Sequence, residues 1–335
     1  MIQLSIIVPV YNAEQYIRPC LESVFCQGLD EDSYEVIIIN DGTTDKSISG
    51  VKDIIKSHRN IFVIEQERQG LSVARNTGLE RASGKYVLFL DSDDVLIDKC
   101  LQKMLFYAMN YEADMIIGDF VKMTDDEIIK WKQGKTIVNS NSTIMYSGKG
   151  IDFFLHGYDK QGYVWRVFYK RDFMEKNDLV FVPDLLFEDI PYMAKSLLSA
   201  NTILKVSLVF YIYRQHQGSI VYSLNKEKMI NLNRVMEILW EMRSNPSLIP
   251  EARSKLMDIV FRVFTNYKWR LLLNDNLFSD RREIISDLKK RIPDLHFTHS
   301  ISQLITTLLF RLMPYKYFEL RKRMDYIVLW AKHII

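Results

Sequence analysis

Residues 85–95 read KYVLFLDSDDV, an apolar run that ends directly in Asp91, Asp93 and Asp94. A continuous apolar run rich in branched and aromatic residues, bounded by polar ones, has the composition of a strand buried on both faces. Three runs of the same kind precede it: LSIIVPVY at 4–11, YEVIIIN at 34–40 and IFVIEQE at 61–67. Helix-period segments lie between them. The first follows Asn12, a predicted N-cap, and sets Tyr16, Cys20, Leu21, Val24 and Phe25 on one face. The second runs from Asp45 to His58, and the third opens at Ser72 after Gly70 and ends near Gly84. This alternation predicts an α/β fold with a doubly wound, mostly parallel sheet sandwiched by helices, which binds ligands at the carboxyl ends of its strands.

Polar residues of functional type stand at those ends: Pro9, Tyr11 and Asn12 after the first strand, Asn40, Asp41 and Asp45 after the second, Glu65 and Gln66 after the third. The aspartates follow the fourth. Asp91 and Asp93 are spaced to flank one point, where like charges raise each other's pKa and a divalent cation removes the penalty. Mg²⁺ and Mn²⁺ take oxygen ligands and are commonly held by one or two carboxylates plus substrate phosphates. The same acids could instead cap a helix over VLIDKCLQKMLFYAMNY, residues 95–111, where negative charge near the N-terminus is favourable. Local spacing leaves both readings open.

Further along, ADMIIGDFVKM (113–123) reads as a strand, 124–150 as polar loop or edge structure, and IDFFLHG (151–157) and RDFMEKND (171–178) as short helices. LLFEDIPYMAKSLLSA (185–200) reads as a helix with its acidic pair at the start, and TILKVSLVFYIYR (202–214) as a strand. Beyond Asn225 the pattern is helical, over 226–244, 250–273, 280–291, 300–312 and 315–333. The expected division is a catalytic domain at 1–222 and a helical region at 223–335.

The totals exclude more than they assign. Lys and Arg number 44 against 42 Asp and Glu, and a net charge of +2 gives no argument for a nucleic-acid partner. Three cysteines without ligand spacing argue against a disulfide framework or structural zinc. The start, MIQLSIIVPVYN, lacks a basic n-region and a cleavage site, and no apolar stretch has the length of a bilayer span, so a cytoplasmic protein is expected.

Taken together, IIVPVYNAEQYIRPCLESVFCQ (6–27), EVIIINDGTTDKS (35–47), QGLSVARNTGLERASGKYVLFLDSDD (69–94), FEDIPYMAKSL (187–197) and YRQHQGSI (213–220) resemble the inverting glycosyltransferases of family 2 with the GT-A fold, especially bacterial enzymes of capsule, exopolysaccharide and O-antigen assembly. The resemblance covers residues 4–222. It implies a sugar nucleotide donor, a uridine diphosphate sugar in particular, and a hydroxyl acceptor on a glycan or polyprenyl-diphosphate-linked oligosaccharide. It places Pro9 and Tyr11 beside the nucleobase, Asp41 on the uracil edge and Arg75 near the base or phosphates. Asp91 then meets the ribose and metal region, Asp93 ligates Mn²⁺ or Mg²⁺, and Asp94 supports them. Asp189 becomes the base that accepts the acceptor's proton, supported by Glu188. Arg214 and Ser219 contact the diphosphate, Trp165 lies toward the acceptor, and His216 stands where relatives often have another basic residue. A turn role for Asp41, a core role for Trp165 and an ordinary helix-start role for the acidic pair compete with these.

Two other classes make different demands on the same residues. A sugar nucleotidyltransferase predicts a Gly-rich phosphate loop near the N-terminus, where IIVPVYNAE has no glycine. A non-catalytic scaffold predicts loss of the acids, and Asp41, Asp91, Asp93, Glu188 and Asp189 are all present. At the other end, residues 300–335 set Arg311, Lys316, Arg321, Lys322, Arg323 and Lys332 against Glu319 and Asp325 beside an apolar face. Such a helix can lie on an anionic membrane surface, giving peripheral contact at the cytoplasmic face, or can pack with a solvated basic face. The Met- and Leu-rich helices before it suit a core or a homo-oligomer surface.

Overall fold

Every residue of β1 (Leu4–Val10) and β2 (Tyr34–Asp41) is buried in the computed structural model, which describes residues 1–134, 142–158, 162–216, 225–273 and 280–295. Alternate residues of a strand face opposite ways, so such strands need cover on both sides. Ile6 and Val8 of β1 share a core with Ile17, Leu21 and Val24 of α1 (Ile17–Phe25). Ile7, between them, meets Gly78 of α3 (Leu71–Arg81) on the other face. With α2 (Lys52–Ser57), β3 (Ile61–Gln66) and β4 (Tyr86–Phe89), these elements form a parallel set ordered β3-β2-β1-β4. All four strands therefore deliver their carboxyl ends to one end of the sheet.

The chain continues through β5 (Val95–Leu96), α4 (Cys100–Tyr111), β6 (Met115–Thr124), α5 (Asp125–Lys132), β7 (Ile144–Gly148) and α6 (Gly150–Asp152), which runs into a π turn at Phe153–Gly157. Then come β8 (Val167–Lys170), α7 (Arg171–Lys176), α8 (Asp189–Ser199) and β9 (Ile203–Gln215). β8 enters antiparallel between β4 and β6, and β9 runs parallel to β6. β5 and β7 pair antiparallel with β9. The α/β architecture read from the sequence is present, with its parallel half first and its mixed half second.

Four local expectations are corrected. The apolar residues after the aspartates do not start a helix: Val95 and Leu96 pair with Ile212 and Tyr211 of β9, and α4 begins at Cys100 after Lys99, whose φ is 58°. The aspartates are thus not helix caps, because strand pairing uses the residues a first helical turn would need. Asn12 does not cap α1 either; with φ 49° it accepts a 2.9 Å hydrogen bond from Thr44 N and locks the β1–α1 loop to the β2–α2 loop. Asp45, at the head of the expected second helix, does the same by accepting from Glu14 N at 3.0 Å and Ser47 N at 2.9 Å. Within 124–150, α5 is a true helix with a capping box between Thr124 and Glu127.

Residues 1–184 and 188–219 form one compact unit, and 185–187 with 220–335 form another. In the second unit α9 (Lys226–Arg243) is capped by Asn225, which accepts from Lys228 N at 2.9 Å. α10 (Pro250–Leu273) follows, and α11 (Arg281–Arg291) ties back to α9 through Arg291 and Glu237 at 2.7 Å. No described helix is long and apolar enough to cross a membrane. The segments read as helices at 300–312 and 315–333, with their basic face, lie outside the described residues.

The approach of α3 to β1 gives a test. A Cβ at Gly78 would stand 2.3 Å from Ile7 Cγ2. Alanine favours a helix over glycine by about 1 kcal/mol, but overpacking costs about 1–3 kcal/mol, and the collision wins. Gly78→Ala is expected to lower the unfolding free energy, read from denaturant melts, by up to about 2 kcal/mol. Combining it with Ile7→Ala should cost less than the sum of the two single changes.

Candidate active site

Arg75 leaves α3 into the protein interior, where its side chain is 1% exposed. Nη2 donates to Asp91 Oδ1 at 2.8 Å, and Nη1 donates to Asp189 Oδ1 at 3.3 Å and to Glu188 Oε1. The sequence around it makes this meeting specific. The neighbouring Asn76 exchanges two 2.9 Å hydrogen bonds with the backbone of Phe181, and Phe181 stacks on Tyr192 of α8 with ring centroids 4.0 Å apart. The segment carrying Glu188 and Asp189 is thereby pinned beside α3. A buried charge needs partners, and one guanidinium here serves three carboxylates.

That ratio sets the proton affinities. Burial pushes Asp189 well above the ordinary aspartate range, with Glu188 adding repulsion and Arg75 only partly opposing it. Burial likewise raises Asp91, opposed by Arg75 and reinforced by Asp93. Although desolvation works against its charge, Arg75 is held above its ordinary value by Asp91, Glu188 and Asp189. Glu188 is 8% exposed and Asp189 20%, so Asp189 is the member of the pair that a ligand can reach. The geometry fits Asp189 as a proton acceptor with Glu188 beside it.

The second cluster joins the DSDD turn to the end of β9. Asp94 is fully buried and accepts from Tyr211 Oη at 2.7 Å and Arg214 N at 2.8 Å. Arg214 Nε donates to the carbonyl of Asp93 at 2.5 Å, and Nη1 pairs with Asp125 at the head of α5. Arg214, expected on the diphosphate, thus spends two donors inside the protein; its buried Nη2 has no hydrogen-bond partner among the described residues. Asp93 is 34% exposed, and its Oδ2 lies 2.9 Å from His216 Nε2. The carboxylate suits Mn²⁺ or Mg²⁺, and the imidazole beside it is a second donor a cation could share. Among the described residues no group of three acidic, His or Cys side chains is arranged for a metal, so a cation at Asp93 and His216 would take further ligands from the donor's phosphates.

At the other strand ends the expectations divide. Tyr11 is 38% exposed at the end of β1, with the Arg68 guanidinium 4.3 Å from its ring centre, an open aromatic and cationic surface. Pro9 is buried within β1. Asp41, expected to hold a uracil edge, is 3% exposed: Oδ1 accepts from Gln66 Nε2 at 2.7 Å and Gln69 N at 2.8 Å, and Oδ2 from Gly70 N at 2.8 Å. It shapes the turn into α3. Of the two roles open to Trp165 the structure shows the core one: it is buried, with Tyr163 at 4.7 Å and Tyr211 at 4.2 Å stacked on it. Ser219 lies outside the described residues.

Sequence reading missed Tyr211, Asp125 and the Asn76 to Phe181 link. For Asp125 the capping-box pattern TDDE was a usable signal; for the others the partner lies about a hundred residues away, and no local pattern marks it.

Comparison with known proteins bears on the family and the fold. The family model described as glycosyl transferase family 2 matches residues 5–175. An uncharacterized glycosyltransferase, EpsJ, of Bacillus subtilis (strain 168) is 32% identical over 223 residues, 65% of this chain and 62% of that protein. The match thus leaves over a third of that relative uncovered. Among solved structures, S. aureus TarS 1–349 in complex with UDP-GlcNAc aligns with a TM-score of 0.66 at 20% identity, covering 87% of this chain and 82% of that one. The mannosyltransferase PcManGT from Pyrobaculum calidifontis, in complex with GDP-Man and Mn²⁺, aligns at 0.56 and 16% identity over 98% of this chain and 86% of that one. At such identities the two structures establish likeness of fold.

The raised pKa of Asp189 fixes the sign of a stability test. A carboxyl whose folded-state pKa lies above its unfolded value, about 3.9, contributes its stability below that value and loses it as pH rises through the folded one. Asp189→Asn, which imitates the protonated acid, is therefore expected to melt above wild type at pH 7–8, with the difference shrinking to nothing toward pH 4. Arg75→Met leaves three carboxylates without their cation and should cost about 3–5 kcal/mol at neutral pH. Thermal melts across pH 4–8 read both.

Proposed function

The chain belongs to glycosyl transferase family 2, and on that premise we propose that it moves a sugar from a nucleoside diphosphate donor to a hydroxyl of a glycan or lipid-linked oligosaccharide, in surface polysaccharide synthesis and with inversion. The observation that carries the reading is the placement of Asp189: partly buried, raised in pKa, and tied through Arg75 to the Asp91 end of the DSDD turn. A base that receives a hydroxyl proton works best with a pKa nearer the working pH than an ordinary aspartate's. Asp189 would take the acceptor's proton as that oxygen bonds to the anomeric carbon, while the bond from that carbon to the diphosphate oxygen breaks on the opposite face. A single displacement of this kind inverts the centre.

On the donor side, Tyr11 and Arg68 offer a flat surface for a nucleobase, and a uridine diphosphate sugar is the donor this reading favours. Asp93 and His216, with Asp91 beside them, would hold Mn²⁺ or Mg²⁺, whose charge stabilises a departing diphosphate. The TarS complex with UDP-GlcNAc and the PcManGT complex with GDP-Man and Mn²⁺ support both choices by likeness of fold. The catalytic part is proposed as residues 1–222. The helical part from 223 onward would serve acceptor, homo-oligomer or membrane-surface contacts at the cytoplasmic face, through the basic segment 300–335.

The direct test offers a panel of nucleoside diphosphate sugars with Mn²⁺ to the purified full chain and reads released nucleoside diphosphate. One donor should stand out. Asp189→Asn should lower its turnover by about 10²–10⁴-fold while binding that donor nearly as wild type does. Binding of no nucleotide sugar, or full transfer by Asp189→Asn, would refute the reading.

A further inference from the structure

We propose that Asp94 and Tyr211 are positioning residues that hold Asp93 and His216 together as one cation and diphosphate site, an inference that rests on those two residues being that site. The DSDD turn closes on itself through Asp94 N, which donates to Asp91 O at 3.0 Å. Arg75 holds the Asp91 side chain at 2.8 Å, and the remaining bonds described below come from β9. Tyr211 Oη donates to Asp94 Oδ2 at 2.7 Å and accepts from Asp91 N at 3.3 Å, so one phenol spans both ends of the turn. Asp94 Oδ1 accepts from Arg214 N at 2.8 Å, and Arg214 Nε returns a bond to Asp93 O at 2.5 Å. The next two residues of the turn's strand, Val95 and Leu96, pair with Ile212 and Tyr211 themselves.

These bonds act on backbone, and backbone decides where the Asp93 and His216 side chains begin. His216 stands two residues beyond Arg214, and Asp93 one before Asp94. Asp94 is fully buried with both oxygens engaged, so it works through its neighbours and touches no ligand. Tyr211 is itself fixed, because its ring stacks on Trp165 at 4.2 Å and an interplanar angle of 12°. Removing either polar group would leave a buried N–H or carboxylate without its partner and free the turn to shift against β9. Residues that orient metal ligands in this way commonly matter to affinity by about 10–100-fold.

The experiment titrates Mn²⁺ into the full chain, reading free Mn²⁺ by electron paramagnetic resonance, for wild type, Asp94→Asn, Tyr211→Phe and Asp93→Ala, with a melting curve for each. Tyr211→Phe keeps the ring on Trp165 and removes only the hydroxyl, so it should fold even where Asp94→Asn does not. Folded Tyr211→Phe should bind Mn²⁺ about 10-fold more weakly than wild type or worse. Wild-type affinity in a folded Tyr211→Phe, with binding lost in Asp93→Ala, would overturn the positioning role alone. Absence of Mn²⁺ binding by wild type, or wild-type binding by Asp93→Ala, would overturn the site reading and the positioning role with it.

Discussion

One buried guanidinium holds the chemistry of this protein together. Arg75 reaches Asp91 at the end of the fourth strand run and the Glu188 and Asp189 pair at the start of α8, elements separated by about a hundred residues of chain. Three carboxylates in a poorly solvated space would not stay together without a cation, and a single arginine cannot neutralise all three. Burial raises the proton affinities of Asp189 and Asp91, and the shortfall of positive charge leaves that rise only partly opposed. An arrangement that is costly for folding is useful for proton transfer, and the ARN segment, Asn76 included, supplies the packing that sustains it.

The fold was largely legible because its parallel half is built from unbroken apolar runs, a pattern that both-face burial requires. The carboxylates were legible as a set for the same reason: parallel strands present their carboxyl ends together, and Asp91 and Asp93 stand where such a sheet puts its chemistry. What could not be read were the roles that depend on a distant partner. Arg75, expected near the base or phosphates, is also the centre of a core ion-pair cluster, since only the folded chain brings Glu188 to it. Asp41, open to a base-edge or a turn role, accepts from the N–H groups of Gln69 and Gly70 at the turn into α3. Trp165, open to an acceptor-side or a core role, backs Tyr211 in the core.

Asp94 shows the same lesson from the other side. In the sequence it was an acid too many, either a cap or a support. Its neighbours Val95 and Leu96 decide the matter by choosing β9 over a helix, which carries Tyr211 and Arg214 to its carboxylate. The site thus has two layers: groups at least partly open to solvent, Asp93, Asp189 and Tyr11 among them, and a buried layer of Arg75, Asp94 and Arg214 that sets where they stand.

The sharing of Arg75 is tested most directly by carbon-detected NMR of carboxyl-labelled aspartates, following Asp189 through a pH titration in wild type and in Glu188→Gln. The expected result is a midpoint above the ordinary aspartate range that falls when Glu188 loses its charge, since repulsion is removed and Asp189 gains a larger share of the guanidinium. An Asp189 that titrates near 4, as a model aspartate does, and ignores the change at Glu188 would contradict it.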